Sequence, residues 1–292
     1  MKRIILIAPV LALLLSGCVD FEAKTAPLPP GAVFITSMAA AEDGEIAVIA
    51  TDRKDRRHLW FCTALQKEDE KPVLKPNDAW HRIGDKKDRT RHQDLKVCWT
   101  DKATAVLLRR TGNAQDLYLV SKRGASVLRL TTWGDITDCA AGAGLIVLAR
   151  RPVDGRTALF VNREQRGFAP LLTRPYGLHS MAIYATGEAA YPQLYWAERR
   201  DGQSVIMTVS LMANSSAACV EAVSGHQSVS PEHPILLREQ KEPIWFTSAG
   251  VLASTTGTIG GVALRVGAIG VAYSGAHIAL WDKSGKRIGT ID

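Results

Sequence analysis

Any chemistry in this 292-residue chain would have to come from a small set of side chains. The seven histidines, His58, His81, His92, His179, His226, His233 and His277, are scattered. None forms the His-Glu-x-x-His pattern or another close pair that would place two imidazoles on one metal ion. No Gly-x-Ser-x-Gly elbow is present for an acyl-transfer serine. The run Gly257-Thr258-Ile259-Gly260-Gly261 is not followed by Lys-Ser/Thr, so it reads as strands with tight turns and not as a phosphate cradle. Asp94 and Asp135 recur at one repeat position, which points to capping a turn or accepting from backbone amides. Three arginine pairs also recur: Arg109-Arg110, Arg150-Arg151 and Arg199-Arg200. If the repeats align, these six lie near one rim, either drawing an acidic partner or bonding neighbouring turns. The residues therefore predict no catalytic group, no metal and no cofactor.

The most specific chemical signal is a thiol. Met1-Lys2-Arg3 precedes an apolar run from Ile4 to Leu15, the charged start and apolar core of an export signal. The run is too short for a membrane span, which takes about 20 residues. It ends in Leu15-Ser16-Gly17-Cys18, which resembles the bacterial lipoprotein box. The resemblance implies cleavage before Cys18, a diacylglycerol thioether and an amide-linked acyl chain. Each buried CH₂ contributes about 0.8 kcal/mol, so two or more chains anchor stably. Val19 follows in place of the Asp that retains such proteins at the inner membrane, and the resemblance therefore implies the periplasmic side of the outer membrane, with the inner membrane or cell surface as alternatives.

The segments that position these groups follow. Residues 1–17 are read as the signal, 18–31 as lipidated cysteine plus tether, and 32–292 as the folded body. Ala26-Pro27-Leu28-Pro29-Pro30-Gly31 suits a tether because proline lacks a donor and fixes φ. The four further cysteines, Cys62, Cys98, Cys139 and Cys219, allow up to two disulfides in an oxidising compartment, with three connectivities open. The formal charge is +7, and removing Lys2 and Arg3 with the signal leaves +5, carried mostly on dispersed cations. Such a balance in an exported chain argues against nucleic-acid binding. The composition, 46% hydrophobic and 22% charged, excludes a disordered chain, a collagen-like fibre and a polytopic membrane protein.

The body repeats. Ile46 to Cys62 matches Thr104 to Val120 without a gap, each an apolar strand, a polar turn and a strand carrying Leu-aromatic (Leu59-Trp60, Leu117-Tyr118). Asp94 to Arg110 matches Asp135 to Arg151, and the units close with Leu130-Thr131 and Leu172-Thr173. Gln193 to Val209 is a weaker copy, and Ile278 to Ile288 again reads strand, Gly turn, strand. A period near 40 residues with about four short strands per unit predicts an all-β fold, a β-propeller of about six blades, with five to seven in range. Trp60, Tyr118, Phe160 and Trp281 fall at repeat positions and are expected in the core. Val33-Phe34-Ile35-Thr36 is expected to close the ring against the C-terminal strands. Over residues 44–173 the unit resembles the TolB-type, WD-like propeller repeat, although Trp99-Thr100-Asp101-Lys102 and Ala140-Ala141-Gly142-Ala143 replace its usual Ser-Pro-Asp-Gly turn.

Together these features predict a lipid-anchored envelope protein that binds a protein partner through its propeller rims without turnover. Two rival readings share the features: a periplasmic immunity lipoprotein neutralising a secreted, type VI-like toxin, and a propeller hydrolase or lyase with converging carboxylates at one channel mouth. The anchor has a direct check. Mass spectrometry of the mature protein is expected to find the signal removed and Cys18 acylated, and an unmodified Cys18 overturns the anchor.

Overall fold

A computed structural model describes residues 25–26, 29–40, 46–62, 65–68, 71–74, 80–83, 92–100, 104–121, 126–151, 155–163, 167–184, 191–212 and 216–223, and later short strands between 235 and 291. Every regular element among them is a β-strand. Four antiparallel four-stranded sheets follow one another along the chain. Blade 1 contains Ala32–Ala40, Ile46–Asp52, Arg57–Cys62 and Trp80–Arg82. Blade 2 contains His92–Trp99, Thr104–Thr111, Ala114–Ser121 and Val127–Arg129. Blade 3 contains Ile136–Gly142, Leu145–Arg150, Thr157–Asn162 and Phe168–Arg174. Blade 4 contains Leu178–Tyr184, Gln193–Arg200, Gln203–Ser210 and Ala218–Val223.

The apolar second strands explain this stacking. Successive side chains of a strand point to opposite faces, so a strand apolar throughout needs cover on both sides. In Thr104–Thr111, Ala105 and Leu107 pack with Ile49, Leu59, Phe61 and Trp99 between blades 1 and 2. The intervening Val106 and Leu108 pack with Leu117, Ile136 and Leu148 between blades 2 and 3. Leu145–Arg150 divides the same way: Ile146 and Leu148 face blade 2, while Val147 and Ala149 face Trp196 and Met181 of blade 4. Each fully buried Leu or Val contributes about 1.5–3 kcal/mol. The first strands of successive blades lie beside one another, which is the radial arrangement of a β-propeller.

Two short turns show how sequence sets the hairpins. Asp201 and Gly202 both have positive φ (47° and 80°), the mirror-image turn that Asp-Gly favours between twisted antiparallel strands. Ala143-Gly144 makes the same turn in blade 3, with Ala143 at φ 51°. That conformation costs an alanine about 1–2 kcal/mol, which the flanking ladder offsets.

Among the described residues, four four-stranded blades stand where the sequence leads one to expect about six. Later strands instead form a three-stranded sheet (Ile235–Leu237, Ile244–Thr247, Gly250–Ala253) and a five-stranded one. The latter holds Val262–Val266, Ile269–Ser274, His277–Trp281 and Arg287–Ile291, with Thr25–Ala26 added in parallel at its edge. Dividing body length by one period assumes uniform units. The chain is not uniform: a separate ribbon, Leu65–Glu68 with Lys71–Leu74, interrupts blade 1. The closing strand also differs from expectation. Val33 to Thr36 belong to the first strand of blade 1, and Thr25–Ala26 pairs with Thr290 and Ile291. Leu178–Tyr184 neighbours Gly250–Ala253, and Ala32–Ala40 neighbours Val262–Val266 and Ile269–Ser274, so the two later sheets link blade 4 back to blade 1.

Candidate functional site

Each blade's first strand carries a β-bulge at an equivalent point, leaving Thr36, Leu95, Thr137 and His179 without a partner opposite. A bulge bends and twists a strand, as strands crowded around one axis require. The bulged Thr36 and Thr137 hydroxyls donate to the Ile49 and Ala149 carbonyls at 3.2 and 3.3 Å. The next residue is polar in all four blades: Ser37, Lys96, Asp138 and Ser180. Ser37, Asp138 and Ser180 are buried, and Lys96 is nearly so.

Ser37, Lys96 and Asp138 bind blade to blade. The Val97 amide donates to Ser37 Oγ at 3.2 Å. Lys96 Nζ donates to Asp138 Oδ1 and to the Met181 carbonyl, both at 2.8 Å, so one ammonium joins blades 2, 3 and 4. Burial disfavours its charge, but Asp138 outweighs this and the Lys96 pKa is raised. Two thiols sit beside this pair. Cys98 Sγ lies 3.8 Å from the Cys139 carbonyl oxygen, and both cysteines are buried free thiols. Cys219 is an exposed thiol outside any disulfide, while the Cys62 side chain lies outside the described residues.

The arginine pairs lie at one end of the sheets. In antiparallel blades, the turn between strands two and three shares an end with the link into the next blade. The Gln115 amide accordingly donates to the Gly134 carbonyl at 2.9 Å. Arg109, Arg150 and Glu198 hold one register position, opposite Asp94, Ile136 and Leu178. Arg109 Nε donates to Asp94 Oδ1 at 2.7 Å, and Asp94 Oδ2 accepts from the Leu59 amide of blade 1 at 2.9 Å. Arg150 grips Asp135 through Nε and Nη2 at 2.7 and 2.8 Å. In blade 4 the polarity is reversed. Buried Glu198 accepts from Arg174 Nε at 2.6 Å, Trp196 Nε1 at 2.8 Å and Arg200 Nε at 2.9 Å. Asp94 thus accepts from a backbone amide as its recurrence suggested, whereas Asp135 is held by the Arg150 guanidinium.

Arg109, Arg150 and Arg200 are therefore committed to carboxylates. Their neighbours differ: Arg110 bonds Gln93, Arg151 is exposed and reaches the Gly155 carbonyl, and Arg199 is exposed. Two aromatics missed from sequence join this rim. Trp133 is 37% exposed, its ring tilted against Phe160 at 5.2 Å and edge-on to Phe168 at 5.9 Å, with the Arg150 guanidinium 4.4 Å from its ring. Tyr176 is 36% exposed, with the Arg200 guanidinium at 4.6 Å. Each stands one residue before a glycine in the link between blades (Trp133-Gly134, Tyr176-Gly177), a signal that extending the repeat past its closing Leu-Thr would have exposed. Of the residues expected in the core, Tyr118 and Phe160 are partly buried against the blade interfaces. Cys18, His226 and His233 lie outside the described residues.

No family model matches the chain, and no curated protein matches it. Among solved structures it is similar to a chain of the nidogen/laminin complex, 10% identical over 90% of this chain and 81% of that one, TM-score 0.48. It is similar to the β-propeller domain of the Trilobed protease from Pyrococcus furiosus, 12% identical over 90% and 82%, TM-score 0.45. A puromycin-hydrolyzing peptidase of Mycobacterium tuberculosis is 15% identical over 73% of this chain and 34% of its own, TM-score 0.45. The likeness is one of fold.

Two predictions concern the belt and the rim. Lys96→Met leaves Asp138 buried without its cation and is expected to lower unfolding stability by about 3–5 kcal/mol; urea denaturation checks this, and Lys96→Met with Asp138→Leu is expected to recover part of the loss. Glu198 sits below its ordinary value of 4.5, because burial, which opposes ionisation, is outweighed by Arg174, Trp196 and Arg200. A carboxyl with a depressed native pKa stabilises fully above its unfolded value and loses this as pH falls. Thermal melts from neutral to acidic pH are expected to show Glu198→Gln less stable at pH 7 and with a shallower fall below about pH 4.5.

Proposed function

We propose that the chain is a non-enzymatic, protein-binding propeller, held at the periplasmic face of the outer membrane by acylated Cys18. It docks an acidic partner on the rim bearing Arg110, Arg151, Arg199, Trp133 and Tyr176. The TolB-type pattern of the repeat belongs to this reading. The observation that carries it is the pairing of exposed aromatics with outward arginines at the same end of successive blades. Trp, Tyr and Arg are the side chains that most often dominate binding energy. Trp133 loses little entropy on docking, because Phe160, Phe168 and Arg150 already fix its ring. Outward arginines steer an acidic surface towards the rim and set its register.

The test uses the full anchored protein as bait on envelope membranes. Wild type is expected to retain a discrete acidic protein whose capture weakens with added salt. Trp133→Ala is expected to reduce its affinity about tenfold or more, and Arg151→Glu with Arg199→Glu to abolish capture while leaving the thermal melt unchanged. Unaltered capture by both variants overturns the rim as the docking face.

A further inference from the structure

The four cysteines were open to three pairings, and the topology removes most of that freedom. Cys62 is in the third strand of blade 1, and Cys219 is exposed on the outermost strand of blade 4. Blades 2 and 3 stand between them on one side of the ring, and the three- and five-stranded sheets stand between them on the other. These two cannot bridge. Cys98 and Cys139 are different: both are buried, both lie on first strands, and those strands face each other across the interface between blades 2 and 3. Cys98 Sγ is already 3.8 Å from the backbone of Cys139.

We propose that Cys98 and Cys139 are a redox-active dithiol that closes to a single disulfide stapling blade 2 to blade 3, with Cys62 and Cys219 left as thiols. The surroundings suit thiol–disulfide exchange. A hydrogen bond from the Cys139 thiol draws the Cys98 pKa below its ordinary value; burial opposes the shift and the Lys96 ammonium assists it. The Cys139 thiol is pushed up by the same bond. Cys98 is thus the attacking sulfur. Its thiolate attacks a small disulfide such as oxidised glutathione, forming a mixed disulfide and releasing one small thiolate. Cys139 gives its proton to solvent and attacks Cys98 Sγ, expelling the second. Two protein thiols lose two protons and two electrons, and one small disulfide becomes two small thiols. Because the pair is buried, a small disulfide reaches it only where the interface loosens, so exchange in the native ring is slow.

The inference rests on the placement of the two thiols and stands whether or not the chain is anchored or docks a partner. The experiment is refolding of the full chain in a glutathione redox buffer, alkylation in denaturant, and peptide mapping. The expected result is one cross-linked peptide pair joining Cys98 to Cys139 with two hydrogens lost, and Cys62 and Cys219 alkylated. The oxidised form is expected to melt about 5–10 °C above the reduced form. Cys62→Ser with Cys219→Ser is expected to keep both the cross-link and the melting gap, and Cys98→Ser to lose them. Free Cys98 and Cys139 after refolding in the oxidising buffer, or a cross-link that includes Cys62 or Cys219, overturns the proposal.

Discussion

Each sheet between two others must bury both faces, and the rest of the structure follows from this. Double burial makes the second strands apolar at every position, as in Ala105, Val106, Leu107 and Leu108, whose relative exposures run from 0% to 3%. It also crowds the first strands around one axis. There the twist of a regular ladder is insufficient, and the bulges before Ser37, Lys96, Asp138 and Ser180 supply the extra bend. The residue after each bulge is polar, and once buried it needs a partner. Ser37, Lys96 and Asp138 find theirs in the adjoining blade, so the arrangement that relieves the backbone also joins neighbouring sheets by Ser37 to Val97 and by Lys96 to Asp138 and Met181. The buried ion pair is weak evidence for stability by itself, but removing either half strands a charge. It therefore favours one registry of blades 2, 3 and 4 over slipped alternatives.

The rim inherits its charges from the same geometry. A strand long enough to complete a blade runs past the apolar interface, and its last residues alternate between the neighbouring sheet and the outside. At the inward position, burial demands a counter-charge. Arg109 takes Asp94, Arg150 takes Asp135, and Glu198 takes Arg174 and Arg200. The polarity is exchangeable because the requirement is neutralisation, not a particular sign. At the outward position a counter-charge is not required: Arg110 bonds Gln93, Arg151 reaches the Gly155 carbonyl, and Arg199 is exposed at its sheet end. The doublets are thus divided by strand parity into a half that pairs with carboxylates and an outward half, the one the proposed docking would use.

The sequence was most legible where the period-2 pattern and the turns agreed. The copies read at Ile46–Cys62, Thr104–Val120 and Gln193–Val209 fall on the second and third strands of their blades, and those at Asp94–Arg110 and Asp135–Arg151 on first and second strands. The belt was not legible, for a geometric reason. The second strands of blades 2 and 3 match without a gap, Arg109 with Arg150, but although both first strands bulge at the same point, the connection from first to second strand is one residue shorter in blade 3, which displaces its first strand by one residue. Gapless alignment therefore set Asp94 against Asp135 and Cys98 against Cys139. In space Asp94 answers to Ile136, and Lys96 answers to Asp138. A one-residue change in a connection leaves no mark in composition, and the residues it aligns, Lys96 and Asp138, share only polarity. Glu198 was hidden similarly, because the doublet Arg199-Arg200 drew attention one position past the residue equivalent to Arg109 and Arg150.

Selective recognition by such a ring has to arise from the differences among its blades. Identical blades would present the same contacts at every station, and a partner could bind equally in several orientations. Here the station equivalent to Arg109 is Ala50 in blade 1, arginine in blades 2 and 3, and Glu198 in blade 4. The links between blades carry Trp133 in one case and Tyr176 in the next. The tryptophan is braced by two phenylalanines and an arginine, the tyrosine by an arginine stacked on its ring. These departures cost the fold little, because the blade interfaces are built from alternating apolar residues beneath them. They distinguish one sector of the rim from the next. The conserved demand of burial fixes the ring, and sequence freedom at the sheet ends leaves room for an asymmetric surface on which one orientation of a partner is favoured.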